Sequence, residues 1–151
     1  LLEKSGYEHY EISNFCKADK ESRHNLKYWN DEEYIGIGPS AYSFFGGKRF
    51  HYENNMQAFI KSPKCVNDGL GGDFCEYIML ALRLKKGINE EKIKNLYSKK
   101  FSHNFYEKAE TLRDNGFAVF ENGNFALTNK GMLVSNTLIC DITEEDMYED
   151  L

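Results

Sequence analysis

The sequence predicts a mixed fold in two units, α/β over about residues 1–71 and α+β over 72–151. Three observations predict it. Between residues 7 and 52, Tyr, Ile and Phe interleave with polar residues in short runs, the period-two pattern of half-buried strands. From residue 73 onward, apolar residues recur at helical spacing in segments that close on Gly or Asn-Gly. The stretch "VNDGLGG" (66–72), with three glycines in seven residues, separates the two textures and reads as a linker.

In the first unit, "LLEKSGY" reads as a short helix stopped by Gly6, the residue that tolerates a left-handed φ. "YEHYEISNF" reads as a strand and Lys17 to Arg23 as a charged loop. "HNLKYW" (24–29) follows, then "EYIGIG" (33–38) as a second strand-like run. Gly46-Gly47 makes a turn, "KRFHYEN" a short strand, and "NMQAFIKS" a short helix ending at Pro63.

In the second unit, "DFCEYIMLALRLKKG" reads as a helix stopped at Gly87. Asn89 can cap the next helix, because its side-chain oxygen accepts from free N–H groups, and Glu90 and Glu91 then suit the positive end of the dipole. That helix is expected to bury Ile93, Leu96 and Tyr97. A third presents Phe105, Ala109 and Leu112 and stops at Asn115-Gly116. "FAVFENGNFALT" reads as two strands around Asn122-Gly123, a pair suited to a type I′ turn. Thr128 can cap a last helix to about Cys140, and the acidic tail "DITEEDMYEDL" is expected to fray. Three helices, a hairpin and a closing helix make a winged-helix arrangement.

Charge narrows the function classes. The chain of 151 residues carries net charge −5, with net −1 in the first unit and −4 in the second. An acidic surface repels phosphate backbones, so nucleic-acid binding is not expected. The segment read as a recognition helix carries Lys108 and Arg113 but also Glu107, Glu110 and Asp114, and the wing tip has no Lys or Arg. A packing or docking role suits it better than DNA binding. No apolar run approaches the roughly 20 residues that span a bilayer. Cys16, Cys65, Cys75 and Cys140 lie 49, 10 and 65 positions apart and form no metal-ligand pair. Scattered thiols suit a reducing, cytoplasmic setting. The first residue, Leu1, is not Met, which suggests a piece of a longer protein.

Two stretches carry candidate chemistry. "GIGPSA" (Gly36 to Ala41) formally fits the dinucleotide fingerprint, but Gly46-Gly47 breaks the helix that should follow, and no acid stands at the ribose distance. A tight turn that lets backbone approach a neighbour or a ligand is the plain reading. "HNLKYW" offers His24 as an axial iron ligand through a neutral ring nitrogen, Asn25 as an orienting group, and Tyr28 and Trp29 as flat walls. Packing of those rings on the core, with His24 solvated, accounts for the same residues. His9, His51 and His103 have no spacing that suggests a metal site.

"GYEHYEISNF", "ESRHNLKYW", "YIGIGPSAYSF" and "EYIMLALRLKKGI" stand in one order and spacing. Together they resemble the C-terminal part of the oxygen-independent coproporphyrinogen III oxidase-like proteins, a branch of the radical S-adenosylmethionine superfamily, and most of all its haem-chaperone type. The resemblance runs from about Gly6 to Ile142. It implies that residues 1–71 are the last strands and helices of a partial (β/α) barrel and that 72–151 are the C-terminal domain. H-N-x-x-Y-W, intact here as His24, Asn25, Tyr28 and Trp29, is associated in the family with haem binding, which implies His24 as the iron ligand. Gly36, Gly38, Ala41 and Tyr42 match the loop lining the cavity for S-adenosylmethionine and substrate. Most chaperone-type members read Ala-His-Ser where this chain reads Ala41-Tyr42-Ser43, so a role resting on that His does not transfer.

The family's [4Fe–4S] cluster sits on C-x-x-x-C-x-x-C, which is absent here. The resemblance therefore implies a haem-carrying module that works with the missing N-terminal part of its own chain and delivers haem to a membrane or respiratory acceptor protein. Radical chemistry is not expected of this piece alone. Coproporphyrinogen oxidation is the rival of another class, and a winged-helix DNA-binding regulator is the third reading. Barrel strands without their partners are also expected to expose unpaired edges.

Overall fold

The computed structural model describes residues 1–151. Glu3–Ser5 form one 3-10 turn, and Gly6 ends it at φ +73°, as the sequence predicts. "YEHYEISNF" is not one strand. It is a hairpin of β1 (Glu8–Glu11) and β2 (Asn14–Cys16), reversed at Ile12-Ser13. The buried Glu11 carboxylate closes the reversal by accepting from the Ser13 N–H at 3.1 Å and from the Asn14 side-chain amide. A carboxylate that folds back onto the next residues makes an Asx-like turn that alternation alone does not reveal.

Helix α1 (Arg23–Trp29) begins at Ser22, whose hydroxyl accepts from the Asn25 N–H. The run "EYIGIG" is loop rather than strand, touching the sheet only through a bridge between Tyr34 and Phe44. β3 (Tyr42–Phe45) and β4 (Lys48–Tyr52) pair antiparallel around Gly46 and Gly47, at φ +60° and +69°. Two successive positive φ values are what a type I′ turn needs. After α2 (Met56–Lys61), the glycine-rich stretch read as a linker is strand β5 (Cys65–Leu70), which pairs with β4 and completes a sheet of order β3-β4-β5. Gly69 at φ +112° takes up a bulge that would disfavour any other residue.

Helix α3 (Phe74–Ala81), capped by Asp73, stops well before Gly87. The chain beyond it pairs with the first hairpin instead: Ile12 N–H donates to Arg83 O and Lys85 N–H to Tyr10 O, each at 3.0 Å. β6 (Ile88–Asn89) leads into α4 (Glu90–Tyr97), capped by Asn89 as predicted. Ile93 is fully buried there, but Leu96 is 58% exposed, contrary to the expectation from spacing. β7 (Lys99–Phe101), α5 (His103–Asp114), β8 (Ala118–Glu121) and β9 (Asn124–Leu127) follow, with sheet order β6-β9-β8. The single closing helix expected from Thr128 is two, α6 (Asn129–Met132) and α7 (Ser135–Ile142).

The acidic tail does not fray. Its strand β10 (Tyr148–Asp150) pairs with β7, where Lys99 meets Asp150 at 2.7 Å and Lys100 meets Glu149 at 3.1 Å. Met147 and Tyr148 are buried in the one large apolar core, which is drawn entirely from residues between Tyr77 and Tyr148. Phe101 and Phe105 stack at 3.7 Å within it. The β3-β4-β5 sheet is tied to α3 by Arg49. Its guanidinium lies 3.1 Å from Asp31 and 2.7 Å from Glu76, above the Phe44 ring.

Candidate functional site

Helix α1 turns "HNLKYW" into geometry. Residues four apart share a helix face, so His24 lies over Tyr28 and Asn25 over Trp29 on the adjacent face. His24 is exposed, and its Nε2 is 2.8 Å from the Tyr28 hydroxyl. The two rings meet edge-on at 4.9 Å, and Tyr28 meets Tyr34 edge-on at 4.5 Å. Trp29 turns toward the segment after α3, where the Arg83 guanidinium lies 5.6 Å from its ring, and its indole N–H is buried without a partner. His24 and Tyr28 are therefore brought together, Tyr34 joins them, and Trp29 belongs to the contact with the rest of the molecule.

The glycine loop is a separate feature. Gly36 donates its N–H to the Ser43 hydroxyl, and a Cβ there would stand 2.2 Å from the Tyr42 carbonyl oxygen. Gly38, at φ +121°, faces open space. The loop closes onto β4 through Ser40 N–H to Tyr52 O at 3.0 Å and Tyr52 N–H to Ala41 O at 3.1 Å. Tyr42 is 60% exposed and stacks on His51 at 4.9 Å. His51 in turn meets the Asp68 carboxylate through Nδ1 at 2.8 Å. That pair was not legible in the sequence, because it depends on the register of two strands.

A cleft of about 800 Å³ lies on another side of α1, between Leu26, Tyr7, Tyr10, Leu84, Lys85 and Lys86. None of His24, Asn25, Tyr28, Trp29 or the glycine-loop residues lines it, although His9 does. A smaller one, about 360 Å³, runs between Tyr28, Tyr34, Asp31 and Arg49. Burial, then the neighbouring Glu76, pushes the Asp31 carboxyl above its usual range, while Arg49 opposes the shift.

Residues 75–134 match the model of the HemN C-terminal domain. The haem chaperone HemW of Lactococcus lactis is 31% identical to the chain over 157 aligned positions, covering 100% of the chain and 40% of the relative. The chain is similar to HemW-type proteins. The HemW of Bacillus subtilis is 29% identical over 89% of the chain and 38% of its own length. The chain thus spans about two fifths of the curated HemW relatives it matches. The solved structure of the radical SAM enzyme HemN of Escherichia coli superposes with TM-score 0.64 at 18% identity, over 95% of the chain and 38% of HemN. At that identity the likeness shows the fold alone, a mixed α/β fold like the HemN C-terminal region.

The side chains present fit some of the groups that HemW and HemN imply and not others. A [4Fe–4S] cluster with one open iron takes three convergent thiolates. Here Cys16, Cys65, Cys75 and Cys140 lie apart on β2, β5, α3 and α7, and no three His, Cys, Asp or Glu side chains gather as a metal site. Cluster ligation does not fit these residues. Haem fits the donor set better: an exposed imidazole beside the Tyr28 ring on one short helix, with Tyr34 from the following loop packed against Tyr28. The Tyr28 hydroxyl engages His24 Nε2, so iron would reach that nitrogen only if the hydroxyl swung away, and Nδ1 would offer a lone pair only in the tautomer in which Nε2–H donates to the Tyr28 oxygen.

Proposed function

We propose that this chain is the haem-carrying part of a haem chaperone, binding haem at the α1 face and handing it to an acceptor protein. The observation that carries the reading is the placement of H-N-x-x-Y-W. His24 and Tyr28 share one accessible helix face with Tyr34 beside them, in a chain similar throughout its length to HemW proteins. In this reading residues 1–71 are the last part of a partial radical SAM barrel, and 72–151 are a winged-helix-like domain. The confinement of the main core to residues 77–148 supports the division. Gly36, Gly38, Ala41 and Tyr42 border the cavity for S-adenosylmethionine or substrate, and the cluster belongs to the remaining length of such a protein. The protein works in the cytoplasm, and its acceptor is a membrane-associated haem protein.

Haemin titration of the wild type and of His24→Ala, followed by Soret absorbance, tests the reading. Saturable binding that weakens or changes spectrally in the variant is expected. Equal titration of the two removes His24 from the site. A full-length relative that decarboxylates coproporphyrinogen and carries no haem favours the oxidase reading instead.

A further inference from the structure

We propose that the small cavity where the end of α1 meets the start of α4 is a site for one phosphate group. The site is separate from the haem reading and does not depend on it. The cavity has a volume of about 140 Å³ and is lined by Lys86, Lys92, Tyr77, Asn30, Asn89 and Asn124, with no carboxylate in its walls. That is the space of roughly four or five liquid waters, enough for a small ion and too little for a ring system. Four separate segments converge on it. Asn30 caps the end of α1, and Lys86 follows α3. Asn89 caps α4, its side-chain oxygen accepting from the Lys92 N–H at 3.1 Å. Asn124 opens β9 and donates its amide to the Lys86 carbonyl oxygen at 3.1 Å.

The walls call for an anion. Neither Lys86 nor Lys92 is ion-paired, unlike Lys27, Lys99, Lys100 and Lys108. Lys86 Nζ donates instead to the neutral Asn30 side-chain oxygen at 2.7 Å, and Lys92 Nζ lies 5.1 Å from the centre of the Tyr77 ring. Burial, then the charge of Lys92, lowers the Lys86 pKa, with Glu32 opposing the shift. Two ammoniums at one cavity repel, and an anion held between them relieves both. Tyr77 is an independent sign. Its side chain is only 3% exposed, and burial alone raises its pKa, with no hydrogen bond contributing. The sealed, unpartnered side-chain atoms of the chain belong to Trp29, Arg49 and Tyr148, so the Tyr77 hydroxyl opens into the cavity it lines. Buried hydroxyls are normally paired, and an anion oxygen supplies the missing acceptor. Phosphate suits these walls better than a carboxylate. It carries up to two negative charges for two ammoniums, and its four oxygens can accept from both lysines, the Tyr77 O–H and the Asn89 amide N–H groups.

Titration of the chain with inorganic phosphate at constant ionic strength, followed by two-dimensional ¹H–¹⁵N NMR, tests the site. Saturable shifts are expected at the amides of Lys86, Gly87 and Lys92. Lys86→Met and Lys92→Met keep the apolar stems and are each expected to weaken binding about ten-fold or more. Tyr77→Phe is expected to weaken it roughly three- to ten-fold. The spectrum of each variant before titration shows whether it is folded, so lost binding is not confused with lost structure. Phenyl phosphate that shifts the same amides gives the site to the phosphate end of a larger ligand, and its exclusion gives it to free phosphate; both results support the site. Acetate that binds as tightly as phosphate overturns the phosphate assignment. A wild type without saturable shifts, or lysine variants that titrate like wild type, overturns the site. No haemin enters the experiment, so the haem reading stands or falls separately.

Discussion

Two glycines of one loop do different work. Gly36 is required by packing, because an added Cβ would strike the Tyr42 carbonyl at 2.2 Å, whereas Gly38 has only its φ of +121° to protect. Gly36→Ala is expected to cost roughly 1–3 kcal/mol, and Gly38→Ala about 1–2 kcal/mol from backbone strain alone. Urea unfolding midpoints order the two, and equal midpoints contradict the clash. Tyr148 gives a second residue-scale test. Its hydroxyl is buried with no partner, and burial drives its pKa far above the ordinary tyrosine value. Tyr148→Phe removes an unsatisfied polar group and is expected to be neutral or stabilising by about 1 kcal/mol, while Tyr148→Ala empties the core site and costs about 3–5 kcal/mol. Thermal melts of both variants decide this, and a strongly destabilised Tyr148→Phe means the hydroxyl has a partner. Single residues were legible where their role is local: Gly6, Asn89 and the Asn122-Gly123 pair act as their chemistry dictates. His51 was not, because its partner Asp68 is 17 positions away and arrives only through strand register.

At the scale of elements, α4 and α5 were readable from their caps and stops, whereas α3 ends before its expected Gly87 stop and strands defined by long-range pairing were not readable. β5 looked like a linker because glycine-rich composition and a bulged edge strand read alike. β10 looked like a loose tail because its acids are paired by Lys99 and Lys100, some fifty residues earlier. Removing residues 148–151 is therefore expected to lower the melting temperature and open the core at Phe101, visible as faster amide exchange in β7. The Arg49 cluster adds a pH dependence. Asp31 has a raised pKa in the fold, so between 3.8 and that raised value the folded chain binds more protons than the unfolded one. Its contribution to stability is therefore larger at low pH and is lost as pH rises through that window. Asp31→Asn is expected to flatten that part of the stability–pH curve. An unchanged curve means that Arg49 already offsets the burial of Asp31.

For the molecule as a whole, the two textures seen in the sequence survive as one large core behind α3 and a sparsely buried first half. The net charge of −5 carries through as well. On α5, Lys108 is engaged by Asp141 at 2.7 Å and Arg113 by Asp114 at 3.0 Å. No salt-sensitive retardation of duplex DNA is expected at about 0.15 M salt, and a shifted band that fades as salt rises would return the regulator reading. The haem reading drew on a short motif whose meaning depends on orientation. Sequence spacing placed His24 and Tyr28 together, but not the hydroxyl seated on the imidazole nitrogen. Trp29, the single tryptophan, has a consequence of its own. It stands on the same short helix, its indole turned toward Arg83. All indole fluorescence of the chain thus originates at one known spot, next to where the porphyrin is expected. Porphyrins absorb light of that colour, so the dimming of this one lamp would gauge how near the pigment settles, with no label attached.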